Sequence, residues 1–120
     1  MGKQLLHAKQ YWDDMYKNVR NRYDTKTLTR IRKAISECTR RLCSGEPLES
    51  KYRDHELGTN NRTLKGLREY HVMHTPDICI VYSINKDENT VTYKRIGRHV
   101  ELGLVKESIN SLRDAIDILF

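Results

Sequence analysis

The spacing of apolar residues changes once along this chain, and the change restricts the fold more than any other feature. Through residues 9–43 apolar side chains recur every three or four positions, which is the spacing of one helix face. From residue 68 to residue 97 they alternate every second position, which is typical of strands. With 120 residues there is room for a single domain. The pattern therefore predicts one α+β domain with helices packed on an antiparallel sheet.

Two helices are predicted before the sheet. The first covers residues 9–20 and the second covers residues 25–43. Asp24 is the predicted N-cap of the second helix, and Gly45 ends it. Residues 104–120 return to helical spacing and predict a C-terminal amphipathic helix. That helix could pack on the sheet, or it could cover a functional surface.

The predicted sheet has three or four strands. Its three main strands are residues 68–74, 77–84 and 90–97, joined by short turns that make neighbours antiparallel. Residues 3–8 could add a short fourth strand. Residues 46–67 have little periodicity and predict a long loop, which in a compact domain is often functional.

The balance of charge favours a polyanionic partner. The formal net charge is +6, which suits nucleic acid, although a solvated charged surface would give the same value. No apolar run of 18 residues and no signal-peptide pattern is present, so we expect a cytoplasmic protein with no membrane partner. The three cysteines lack the spacing of a disulfide framework and are expected to be buried or half-buried.

Five histidines are the residues best suited to proton transfer near neutral pH, and four lie in the loop-and-sheet half. They could also be unrelated core and surface residues. We expect no metal site, because His71 and His74 are three apart on a strand and should point to opposite faces. No glycine-rich phosphate loop is present, and we expect no cofactor.

Strand alternation sorts the candidate residues by face. It places Glu69 and His71 together on one face of the first main strand. On the third main strand it places Val91 and Tyr93 on one side and Ile96 on the other.

A dense positive cluster surrounds the last histidine. Lys94, Arg95 and Arg98 immediately precede His99. Such a run could protect an exposed edge strand from aggregation. It could also be a phosphate clamp, in which arginine binds phosphate oxygens and histidine transfers a proton.

Four sequence blocks, in this order, resemble the YafQ branch of the RelE-like toxins. They are YRDHEL at residues 52–57, KGLREYHV at 65–72, DICIVY at 77–82 and KRIGRHVEL at 94–102. The resemblance implies a RelE-like fold, similar to that of microbial ribonucleases. It also implies the toxin of a type II toxin–antitoxin system, which enters the A site of the 70S ribosome and cuts mRNA there without a metal. The implied partners are the ribosome, mRNA and a cognate antitoxin, with operator DNA bound only through the antitoxin.

The resemblance also implies roles for individual residues. His55 and His99 would be the general base and general acid, in either order. His71, Glu69 and Asp77 would orient histidines or substrate. Phosphates would be held by a cationic set comprising Lys65, Arg68, Lys94, Arg95 and Arg98.

The chain departs from the family pattern at two places. Gly103 stands where the family usually has an aromatic residue, and two extra residues separate His71 from Asp77. Two other functions on this fold therefore stay open. One is a non-catalytic binder, such as a topoisomerase inhibitor, and the other is a degenerate toxin that binds only its antitoxin and operator.

Overall fold

The computed structural model describes residues 2–58 and 64–103. Strand β1 (Gln4–His7) precedes helix α1 (Lys9–Asp14), which continues as a π-helix (Met15–Arg20). Helix α2 (Thr25–Ser44) and a short 3₁₀ turn (Ser50–Tyr52) lead to strands β2 (His55–Glu56), β3 (Arg68–Met73), β4 (Ile78–Asn85) and β5 (Thr90–Gly97). The predicted helix at residues 104–120 lies outside the described residues. No described helix is long and apolar enough to cross a membrane.

The sheet is mixed and has five strands, in the order β1-β5-β4-β3-β2. The α+β class is confirmed, but the expectation of a purely antiparallel sheet of three or four strands is wrong. Strand β1 pairs with β5 in parallel, although both helices and strands β2 to β4 lie between them in the chain. Strand β2 has only two residues and lies within the predicted loop. A segment this short shows no periodic pattern, so the sequence did not predict it.

The ends of α2 agree with the sequence. The Asp24 carboxylate accepts a hydrogen bond from the backbone N–H of Thr27 at 2.8 Å, which satisfies one of the unpaired donors at the helix start. Gly45 ends the helix in the left-handed region, at φ 75°. The first predicted helix, by contrast, changes from α to π after Asp14.

The core lies between the helices and one face of the sheet. Tyrosines fill much of it, and their hydroxyl groups satisfy one another: Tyr70 and Tyr93 are 2.9 Å apart, and Thr39 pairs with Tyr93 at 2.5 Å. From α2, Ile31, Cys38 and Leu42 reach into the same core. The cysteines are free, with Cys38 and Cys79 buried and Cys43 half-buried, as predicted.

Alternation along the third main strand fails at one point. Val81 pairs with Arg95, but the next residue, Tyr82, pairs with Tyr93, so Lys94 is an extra residue on β5. This irregularity reverses the alternation, and Ile96 joins Val91 and Tyr93 in the core instead of facing away from them. The predicted division of faces on this strand is therefore wrong beyond Lys94.

Candidate active site

The face of the sheet away from the main core carries Glu69, His71 and Cys79. Glu69 and His71 lie two apart on β3, and Cys79 on β4 is directly opposite His71. A small second apolar cluster forms here around Cys79 and Val81. Glu69 is only 2% exposed, so this carboxylate depends on protein partners rather than on water.

His99 lies just beyond β5 and is held between two carboxylates. Its backbone N–H and its Nδ1 both contact Asp77, at 3.0 Å to Oδ2 and 2.8 Å to Oδ1. Its Nε2 lies 2.7 Å from Glu69 Oε1. An ionised carboxylate can only accept, so the geometry favours a ring that donates from both nitrogens, which is the imidazolium. Hydrogen bonds to the Cys79 sulfur and to Glu69 raise the pKa of His99 to about 11, although burial opposes this.

Glu69 stays ionised in this setting. Burial alone would raise its pKa, but the hydrogen bond from His99 and the positive charge of that ring lower it below the ordinary value. His99 and Glu69 thus form a charge-assisted pair at the centre of the site.

His71 lies beside this pair and is held neutral. Its Nε2 is 2.7 Å from Glu69 Oε1 and 3.1 Å from His99 Nε2. Burial lowers the pKa of His71, and the positive charge of His99 lowers it further. The buried Nδ1 of His71 has no hydrogen-bond partner within the described part of the chain. Donation from Nε2 to Glu69 leaves Nδ1 as an acceptor.

Two further histidines flank the cluster. The His55 ring centroid is 6.1 Å from that of His71, and its Nδ1 contacts the Arg53 carbonyl oxygen at 2.7 Å. The His74 ring centroid is 5.2 Å from that of His71 on another side, and its Nε2 contacts the Lys51 carbonyl oxygen at 2.9 Å. His74 was expected on the opposite face from His71. That expectation is wrong, because the register shifts between His71 and Met73 and β3 ends at Met73.

The structure brings together all five residues expected to form the acid–base set. They lie on β2 (His55), on β3 (Glu69 and His71), in the turn just before β4 (Asp77) and just after β5 (His99). The two extra residues between His71 and Asp77 fall in the hairpin turn, and Asp77 still reaches His99.

The five cations expected to bind phosphate differ in their partners and in their exposure. Arg68 pairs with Asp54 and Glu56, at 3.3 and 3.5 Å. Arg98 pairs with Glu101 at 2.5 Å.

The other three cations differ in exposure. Arg95 pairs with the buried Asp14 at 2.6 Å. Lys65 is exposed, and Lys94 is half-buried. Three of the five expected phosphate ligands thus have carboxylate partners in the free protein.

Sequence reasoning missed three residues at or near the site. Cys79 was read as a buried strand residue, and only the register with His71 shows that its sulfur reaches the cluster. Asp14 and Glu101 were not considered, because helical and turn carboxylates give no pattern of their own. The run of cations before His99 has no acidic run beside it in the sequence. This indicated that carboxylates from elsewhere in the fold would pair with those cations.

Three donor atoms of metal-ligating type meet here. Ligand atoms of Glu69, Cys79 and His99 lie within 4.8 Å of one another. Such a mixed oxygen, sulfur and nitrogen set could accept a borderline or soft ion. In the structure each of these groups already takes part in hydrogen bonding inside the cluster.

Comparison with known proteins agrees with this architecture. A family model described as a bacterial toxin of type II toxin–antitoxin systems, YafQ, matches residues 4–104. Comparison with curated protein sequences gave no significant match.

Several solved structures of bacterial toxins are similar to this chain. A metal-bound toxin from Helicobacter pylori is 33% identical over 83% of this chain and 98% of its own, with a TM-score of 0.65. A copper-bound mutant toxin from the same organism is 27% identical over 83% of this chain and 98% of its own, with a TM-score of 0.66. The toxin of the E. coli DinJ–YafQ toxin–antitoxin complex is 22% identical over 85% of this chain and 98% of its own, with a TM-score of 0.63, which shows the shared fold.

Proposed function

The chain belongs to the YafQ family of toxins of type II toxin–antitoxin systems, and from that premise we propose that it is an endoribonuclease that cuts mRNA in the ribosomal A site. The observation that carries the proposal is His99 held between Asp77 and Glu69, with two more histidine rings in line beside it. Such an arrangement supplies a proton donor, a proton acceptor and positive charge in one place.

The reaction that these groups suit is attack by the ribose 2′-oxygen on the adjacent phosphorus. The 2′-oxygen–phosphorus bond forms as the 2′ proton passes to a base. The bond from phosphorus to the 5′-oxygen breaks as an acid protonates that oxygen. The products are a 2′,3′-cyclic phosphate and a free 5′-hydroxyl, and the chain's own side chains can supply both proton transfers.

His99 fits the role of general acid. Both of its ring nitrogens contact carboxylates, so it carries a proton and a positive charge when substrate arrives. The charge would stabilise the extra negative charge on the phosphorus in the transition state. Donation to the leaving oxygen requires Nε2 to exchange Glu69 for the substrate, while Asp77 keeps the ring oriented through Nδ1.

His55 fits the role of general base. The contact with the Arg53 carbonyl oxygen requires a proton on Nδ1, which leaves Nε2 of the neutral ring as an acceptor. His55 is exposed on an edge strand, where a ribose hydroxyl can reach it. The His71 ring centroid lies 6.1 Å from that of His55 and 4.9 Å from that of His99, and His71 would help to orient His99 through their shared contact with Glu69.

Phosphate contacts would come from the cations around this line of histidines. Lys65 and Arg98 are exposed. Arg98 must release Glu101 before it can bind phosphate. A net charge of +6 would favour approach to ribosomal RNA and would equally suit an acidic segment of an antitoxin. The similar E. coli toxin was crystallised with its antitoxin DinJ, and we infer a cognate antitoxin for this chain too.

The test is cleavage of a defined mRNA on purified ribosomes, with the new ends mapped. We expect in-frame cuts, no loss of rate on addition of a chelator, and a loss of about 10²–10⁴-fold for His99→Gln and His55→Gln. His7→Gln is the matched control, because His7 packs against Trp12 and Tyr93 outside the cluster. Full activity of both site variants would overturn the assignment of acid and base.

A binding-only function is favoured by one observation. Gly103 has φ 74° and offers no aromatic ring for stacking on a base. Intact mRNA with DNA damage after induction would indicate a topoisomerase target. No effect on growth would indicate a protein that binds only antitoxin and operator.

A further inference from the structure

A second buried polar cluster joins the first helix to the end of β5. Asp14, the last residue of α1, is only 4% exposed. Its carboxylate accepts hydrogen bonds from Arg95 Nε at 2.6 Å and Nη2 at 3.2 Å, and from the backbone N–H of Ile96 at 3.2 Å. Gln10 adds a contact at 3.2 Å. One carboxylate thus accepts from a guanidinium and from the backbone at the end of the strand.

Asn18 completes this contact from the next turn of the helix. Its side-chain amide donates to the carbonyl oxygen of Ile96 at 3.1 Å. Asp14 and Asn18 therefore hold both polar groups of the same residue, one through its N–H and the other through its C=O. The π-helix starts immediately after Asp14, and such wider turns are often found at functional sites.

Gly97 makes this approach possible. A Cβ atom at this position would lie 2.8 Å from Asn18 Nδ2, closer than real Cβ contacts allow. Only one residue, Arg98, separates Gly97 from His99. Within the block KRIGRHVEL, Arg95 and Gly97 therefore contact the first helix and its π-helical continuation, while His99 contacts Glu69 and Asp77.

We propose that Asp14 and Asn18 are positioning residues, which fix the end of β5 and thereby place the His99 ring between its two carboxylates. Arg95 acts in this role by binding Asp14, rather than by binding a phosphate. The proposal rests on the proposed ribonuclease function for its kinetic consequences, but not for its structural ones.

The physical reason is the precision that the His99 contacts require. Asp77 binds both the backbone N–H and Nδ1 of His99, and Glu69 binds Nε2 from a different strand. Three contacts to two elements can form together only if the chain leaves β5 at a fixed point and in a fixed direction. A displacement of about 1 Å at a reacting group can cost on the order of 100-fold in rate.

The experiment compares Asp14→Asn, Asn18→Ala and Arg95→Lys with the control Asp13→Asn, which alters the exposed carboxylate next to Asp14. NMR titration of the His99 ring is recorded without RNA, and kcat and KM are measured on ribosome-bound mRNA. We expect the three test variants to show a lower His99 pKa and a kcat at least tenfold lower, with KM within about twofold. Asp13→Asn should match the wild type in all three quantities.

Each other outcome is decisive. Unchanged His99 resonances in folded Asp14→Asn and Asn18→Ala would overturn the proposal, even if both variants melt at lower temperature. A raised KM for Asp14→Asn or Arg95→Lys, with kcat unchanged, would restore Arg95 as a phosphate ligand. If the wild type cuts no RNA but the His99 resonances shift as expected, the proposed function fails while the positioning role stands.

Discussion

Two buried carboxylates, Glu69 and Asp14, are paired with different kinds of cationic side chain. Both are less than 5% exposed, and both need cationic partners. Glu69 contacts two imidazoles, His71 and His99, at 2.7 Å each. Asp14 contacts the guanidinium of Arg95 at 2.6 Å and a backbone amide at 3.2 Å.

The difference lies in what the partner can do when the carboxylate is lost. An imidazole can release its proton and become neutral, whereas a guanidinium keeps its charge throughout the physiological pH range. The Glu69 cluster can therefore exchange protons, which is what catalysis requires. The Asp14 cluster cannot, and it is suited to holding two elements together.

The sharpest test of this comparison is Glu69→Gln. The amide keeps the shape of the carboxylate but not its charge, so the pKa of His99 should fall and fewer molecules should hold the proton that His99 donates as general acid. We expect the rate of mRNA cleavage to fall about 100-fold or more, with a small change in stability. Cleavage kinetics and urea unfolding on the same preparation measure both. A stable variant of unchanged rate would show that Glu69 has no role in the reaction.

The complementary variant is Asp14→Ala, in which stability should change most. Arg95 then keeps a charge without its partner, and the N–H of Ile96 loses its acceptor. Because Arg95 is itself 36% exposed, we expect a loss of about 2 kcal/mol, near the lower end for a broken buried pair. The midpoint of urea unfolding measures it. A loss of less than about 0.5 kcal/mol in the free energy of unfolding is the usual effect of a surface substitution. Such a result would show that the Asp14 cluster does not hold the two elements together.

The comparison also predicts a pH dependence of stability. A histidine with a raised pKa contributes stability that is complete below its ordinary value of 6.5 and is lost as pH rises towards about 11. The lowered pKa of Glu69 acts in the opposite sense, and its contribution is lost as pH falls below 4.5. The free energy of unfolding of the wild type should therefore exceed that of His99→Gln by the largest amount between pH 4.5 and pH 6.5. This difference should shrink from pH 7 to pH 10. A constant difference across that range would show that His99 is not charged in the folded protein.

Sequence alone predicted both described helices and four of the five described strands, because each depends on local pattern. The sequence blocks also named the five residues that the fold brings together around His99. Alternation was sufficient to place Glu69 beside His71. It failed at Lys94, where one extra residue reverses the faces, and it did not give the parallel pairing of β1, whose partner is more than 80 residues away in the chain. Neither an irregular register nor a parallel pairing leaves a local periodic signal.

The cations show a second limit of reading a sequence. Arg95 and Arg98 follow one another closely in a basic run, and their nearness suggested a common ligand. Their actual partners are Asp14, 81 positions away, and Glu101, three positions away. A run of like charges predicts that anions will lie close to it. Only the fold shows whether those anions are carboxylates of the chain or phosphates of a ligand.

The smallest effect is expected at Glu101, which accepts from both Arg22 and Arg98 at 2.5 Å. Burial opposes its ionisation, but the two arginines hold the pKa of Glu101 below its ordinary value. If phosphate must displace this carboxylate, Glu101→Gln should lower KM for ribosome-bound mRNA, with kcat unchanged. Because exposed ion pairs contribute at most about 1 kcal/mol, the change should not exceed about fivefold. Glu46→Gln, which alters an exposed pair with Arg40, is the control. A raised KM in Glu101→Gln would mean instead that Glu101 holds Arg98 in position for the phosphate, as Asp14 holds Arg95 for the strand.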